Sequence, residues 1–178
     1  AELLPYVRRA LAKLTMYEYS RVGGIQFSES GMHRIENENH RSAFKYQEEG
    51  YAEYMQEHGY EAIENLLKFL DRNQDNYPDW RNSEAAARHN AYFLRYASEM
   101  RQHYSTYITR YAFECLLPII EEVQCFAIES MMSVGLYGDL QTKYAANNLT
   151  PNEKTAVRLI QKALTEFVVF EGIQRHWI

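Results

Sequence analysis

Three residues invite a metal first. His33, Glu36 and His40 stand at i, i+3 and i+7. On a continuous helix that spacing would bring two imidazoles and a carboxylate onto one face. The neighbourhood argues against such a helix. His33 falls in a segment with strand periodicity, and Asn37 and Asn39 disfavour helix. The three read as solvated side chains. Glu36/His40 and Glu99/His103 are each four apart, whereas a dinuclear carboxylate bundle uses Glu-x-x-His pairs with two further Glu. Glu114, Glu121, Glu122 and Glu129 form a stripe at helical spacing, opposite Leu117, Ile120, Val123 and Ile128. A polar helix face accounts for that stripe without a ligand.

Other chemistries fare no better. Gly23-Gly24 lacks both phosphate-loop and dinucleotide spacing, and no Gly-x-Ser-x-Gly elbow occurs. Cys115 and Cys125 are ten apart, about 15 Å along a helix, too far for a disulfide. They read as buried free thiols in a reducing compartment. Trp80, Arg81, Arg88 and Tyr92 could compose an aromatic–basic patch for a partner. A loop-to-helix junction with the ring turned inward explains them as well. The sequence therefore assigns no catalytic, cofactor-binding or metal-binding residue and implies no cofactor.

Composition sets the frame for any such site. The 178 residues are 46% hydrophobic and 24% charged, enough for a folded core. A formal net charge of -5 argues against general nucleic-acid binding. No stretch approaches the roughly 20 apolar residues of a membrane span, so no membrane is expected, and the expected location is cytoplasmic. Fifteen tyrosines beside four prolines and eight glycines favour long helices with amphipathic contact faces.

The periodicity predicts a mainly α protein, one or two helical bundles with one short β-hairpin near residues 25–35. Helices are expected over 3–21, 38–57 and 60–72, with Gly59 as a stop between the last two. A loop follows around Pro78, then a helix from the Ser83 cap to about Tyr104, broken near Asn90. One helix spans 113–134 with a kink or later start at Pro118, a short one 139–146 after Gly135 and Gly138, and a last one begins at Thr150-Pro151-Asn152-Glu153. Two regions are expected, 1–105 and 106–178.

The two ends resemble each other. Val7–Glu18 aligns with Ile160–Glu171 at a constant offset of 153, with Ala10/Ala163, Leu11/Leu164 and Glu18/Glu171 identical. Gly24-Ile25-Gln26 echoes Gly172-Ile173-Gln174 after a further shift. Two amphipathic helices that merely share a period would also align. A true internal repeat predicts a natural chain that extends before Ala1 and perforce leaves the first helix with an apolar face lacking its partner.

The run Tyr107–Gly135, with Phe113 and Leu116-Leu117-Pro118-Ile119-Ile120, resembles an uncharacterised family of Bacteroidetes genomes and prophages. Ser28–Arg34 and Phe69–Trp80 are similar to that family too. The Phe-x-x-Leu-x-Pro-x-Ile helix, a following helix ending in Gly and a helix starting at Leu-Thr also look like the small all-α head–tail connectors of tailed phages. That resemblance implies a subunit of a ring between portal and tail. The apparent duplication and the long Tyr-rich middle depart from a simple connector. The expected role is thus a structural or adaptor protein acting through protein partners, as a homo-oligomer or in a virion, and the virion is the expected location if the chain is prophage-encoded. The alternatives are a metal-dependent enzyme using the Glu stripe and histidines, or a helical regulatory binding module.

Overall fold

Pro5 in a first turn and an unbroken run of helix-compatible residues give α1, Leu4–Val22. The computed structural model describes residues 2–22, 25–28, 31–34, 45–105 and 107–175. Eight α-helices lie among these residues: α1, α2 (Lys45–Arg72), α3 (Pro78–Arg81), α4 (Glu84–Asn90), α5 (Ala97–Arg101), α6 (Arg110–Val123), α7 (Val134–Ala145) and α8 (Pro151–Gln174). The fold is mainly helical. Between α1 and α2, Ile25–Ser28 (β1) pairs antiparallel with Gly31–Arg34 (β2), with Phe27 opposite Met32.

Two compact units divide the chain at Phe69/Leu70. The sequence placed a boundary at 105/106, and the core explains the difference. Phe93, Leu94, Ala97 and Met100 pack in one cluster with Ile108, Phe113, Leu116 and Leu164. A cut at 105 would pass through that cluster.

In the first unit α1 and α2 pack antiparallel. Tyr6 stacks on Phe69 with ring centroids 4.6 Å apart. Gln56 Nε2 donates to Tyr17 Oη at 3.3 Å. Gly59 does not stop the helix: α2 runs through it for 28 residues. A Cβ at Gly59 would lie 2.6 Å from Leu14 Cδ2. The missing side chain therefore serves the close approach of α1, a contact 45 positions away that no local rule reveals. Buried residues in this unit, among those described, are Ala10, Gly59, Ala62 and Glu64.

The second unit has the larger core. Thr109 Oγ1 accepts from Ala112 N at 3.1 Å and starts α6 well before Pro118, which sits exposed inside the helix. Phe113, Leu116, Ile119 and Ile120 form its buried face, each contributing roughly 1.5–3 kcal/mol of burial. The expected continuous helix 113–134 is broken. After Val123 a π-helical turn occupies Gln124–Ile128 and a 3-10 turn Glu129–Met131. Helix α7 then begins at Val134 and contains Gly135 and Gly138, where an added Cβ would meet nothing. It ends at Ala145, and Asn147, with a φ of 52°, closes a Schellman turn in which Asn148 N donates to Lys143 O at 2.9 Å. The start of α8 is borne out as a capping box: Glu153 N donates to Thr150 Oγ1, and Thr150 N to Glu153 Oε2 at 2.8 Å.

The aligned ends differ in setting. Val157, Leu164, Val168 and Val169 of α8 are buried, while their counterparts Leu4, Leu11, Thr15 and Met16 of α1 are exposed. Leu164 is 0% exposed and Leu11 64%. What the two helices demonstrably share is a period.

Candidate functional site

Asp71 gathers the densest polar cluster. It is buried at the end of α2, in the second unit. Its carboxylate accepts from Tyr96 Oη, from His89 Nε2 at 3.0 Å and from Trp80 Nε1 at 3.4 Å. Arg95, also buried, brings its guanidinium to 3.7 Å. Burial alone would raise the Asp71 pKa, but the His89 and Tyr96 hydrogen bonds and the nearby positive charge more than offset it and hold it below the ordinary value. Burial and Asp71 together push the Tyr96 phenol far upward.

The cluster faces inward. Arg95 Nη1 donates to Asn90 Oδ1 at 2.8 Å, and its plane covers Tyr144 at 4.0 Å from the ring centre. Glu99 accepts from Arg95 N at 2.6 Å, Tyr96 N at 3.1 Å and Tyr144 Oη at 2.6 Å. Gln124 accepts from Phe93 N at 2.7 Å and donates to Ala91 O and Tyr137 Oη. Gln161 donates to Phe93 O at 2.9 Å. Residues 91–96 are not in a helix, so their backbone groups need side-chain partners, and these supply them. An Asp–His pair can serve catalysis, but here each named acceptor is filled by the fold's own donors. The network braces an extended segment.

The residues singled out from sequence scatter. Glu99 is used as above, away from any pairing with His103. Glu114 pairs with Arg110 at 2.5 Å, Glu121 accepts from Tyr92 Oη, and Glu122 pairs with Arg175. Arg81 turns to Asp75 and Arg88 to Glu84, while the Trp80 ring is turned inward to Asp71. Glu36 and His40 lie outside the described residues, as do Gly23 and Gly24, and the His33 side chain is not described. Among the described residues no three His, Cys, Asp or Glu side chains gather around one metal position. No described helix is long and apolar enough to cross a membrane. The cysteines are corrected: Cys115 is half-buried and Cys125 exposed, both unpaired as thiols. The π turn adds a residue and turns Gln124 inward, so Cys125 and Phe126 face outward.

That rotation builds the most unusual surface feature. A groove of about 410 Å³ runs between 122–131 and the C-terminal part of α8, lined by Val123, Phe126, Ala127, Met131 and Phe167. Phe126 is 83% exposed and Met131 77%. Phe170, Ile173 and Val134 are exposed as well. Arg175 closes one end, donating to both Glu122 oxygens at 2.8 and 3.0 Å. This clasp holds the Glu122 carboxyl below its ordinary pKa. Aromatic and methionine side chains around a concave apolar floor are enriched at macromolecular contacts.

No curated protein and no solved structure matches the chain. Residues 1–90, from α1 through the end of α4, match the family described as a family of unknown function, DUF6712, and the chain belongs to that family.

Proposed function

We propose that the chain is a structural or adaptor subunit that works through protein–protein contacts. The groove beside α8 carries this reading: Phe126, Met131 and Phe167 stand exposed around an apolar floor, where a folded partner would remove them from water. Exposed Tyr46, Tyr51, Tyr54, Tyr107 and Tyr111 add rings suited to contact. The likeness of the Phe-x-x-Leu-x-Pro-x-Ile helix, the following segment ending in Gly and the Leu-Thr helix start to phage head–tail connectors gives the role its narrowest form, a virion component made in the cytoplasm.

Light scattering of the full chain over a concentration series tests the reading. The expected mass exceeds that of the monomer. It falls in a Phe126→Glu, Phe167→Glu variant that keeps its circular dichroism, because both side chains are exposed. A chain that stays monomeric at high concentration, with groove variants indistinguishable from the parent, overturns it.

A further inference from the structure

The groove has an acidic frame. Segments 119–131 and 162–175 carry Glu121, Glu122, Glu129, Glu166 and Glu171 against two cations, Lys162, which pairs with Glu166, and Arg175, which pairs with Glu122 and Glu171. Helix α1 is its opposite. It holds Arg8, Arg9, Lys13 and Arg21 against Glu18 alone, in a chain whose net charge is -5. The same helix exposes Leu4, Val7, Leu11, Tyr19 and Val22. Leu4, Leu11 and Val22 fall on one line of the helix, with Val7, Arg8, Thr15, Glu18 and Tyr19 beside them. At the 153-residue offset this stripe is the pattern that α8 buries, Leu11 matching fully buried Leu164. One chain therefore carries an uncovered apolar helix with excess positive charge and an uncovered apolar groove with excess negative charge.

We infer that the groove receives α1 of a second copy of this chain, a head-to-tail contact. The inference rests on the reading of the groove as a protein contact and names its occupant. Leu4 and Leu11 lie over Phe126, Met131 and Phe167, while Arg8 meets the carboxylates along the rim. Opposite charges fix the direction and speed encounter, and the apolar stripe supplies the area. Because the two patches differ, the second copy keeps its own groove open and a third copy can add.

Disulfide trapping tests this in the full chain with Cys115→Ser and Cys125→Ser. One chain carries Thr15→Cys, on the α1 stripe, and another Ser130→Cys, on the groove lining. Mixed under mild oxidation, they are expected to give a heterodimer in higher yield than either forms alone. Leu11→Glu in the first chain should weaken the association about tenfold or more, as for a central contact residue, and raised salt should lower the yield. A yield no greater than with Thr155→Cys replacing Ser130→Cys overturns the inference. So does preferential pairing of Thr15→Cys with itself, or closure within a single chain bearing both cysteines. If trapping fails while Phe126→Glu, Phe167→Glu still reduces the mass in solution, the occupant is wrong and the contact surface stands. If the parent is monomeric throughout, the underlying reading fails as well.

Discussion

Asp71 is a buried carboxylate whose partners arrive from three places along the chain: Trp80, His89, and the pair Arg95 and Tyr96. Removing it takes a carboxylate from beside the buried Arg95 guanidinium and leaves Tyr96 Oη and Trp80 Nε1 without their acceptor. Asp71→Ala is therefore expected to destabilise the protein by about 3 kcal/mol or more, in the range for breaking a buried pair from one side. Chemical denaturation at neutral pH measures this. The folded pKa of Asp71 lies below its unfolded value, so its ionisation contributes stability above about pH 4, the ordinary range for this carboxyl. That contribution is lost as pH falls through the folded value. Glu153, held at about 2 by Lys143 and the Thr150 cap, acts with the same sign. Asp71→Asn should flatten the acid limb of stability against pH while keeping the part due to Glu153. An acid limb unchanged from the parent would show that Asp71 is not coupled to folding in this way.

Elements were legible where their causes are local. Ser83, Thr109 and Thr150 each accept a backbone N–H three residues on, and two of these starts could be read from the caps alone. The misread positions have distant causes. Gly59 looks like a terminator in sequence, but its partner is Leu14 on another helix. Gly59→Leu should therefore cost about 1–3 kcal/mol by overpacking, despite leucine being the better helix former. Leu14→Ala in the same chain should recover part of the loss, and a double-mutant cycle read by thermal unfolding gives the coupling. Simple additivity would mean that α1 does not pack there. Gln124 is illegible for the same kind of reason. Its inward turn answers backbone groups at Ala91 and Phe93, and the π turn that permits it reverses which of residues 124–126 meet water. The groove was hidden with it, because periodicity assumed an unbroken helix.

The whole molecule is two units of unequal strength. Every member of the core cluster from Phe93 to Val169 lies in the second unit. In the first, the described buried residues are small or charged, and α1 keeps a full apolar stripe in water. A fragment of residues 60–178 retains that core and the turn of α2 bearing Asp71, so it is expected to unfold in one cooperative calorimetric transition. The described residues of 1–69 bury only Ala10, Gly59, Ala62 and Glu64, little against the cost of ordering two long helices, and as a dilute monomer 1–69 should show no such transition. Calorimetry of both fragments over a concentration series makes the asymmetry measurable. If the stripe on α1 is the cause, structure in the short fragment should grow with concentration, as apolar faces find one another. It should also grow when 60–178 is added, because that fragment carries the groove. Cooperative unfolding of 1–69 at all dilutions would mean that the first unit is complete without any cover on α1, and the exposed leucines would then need a reason other than assembly.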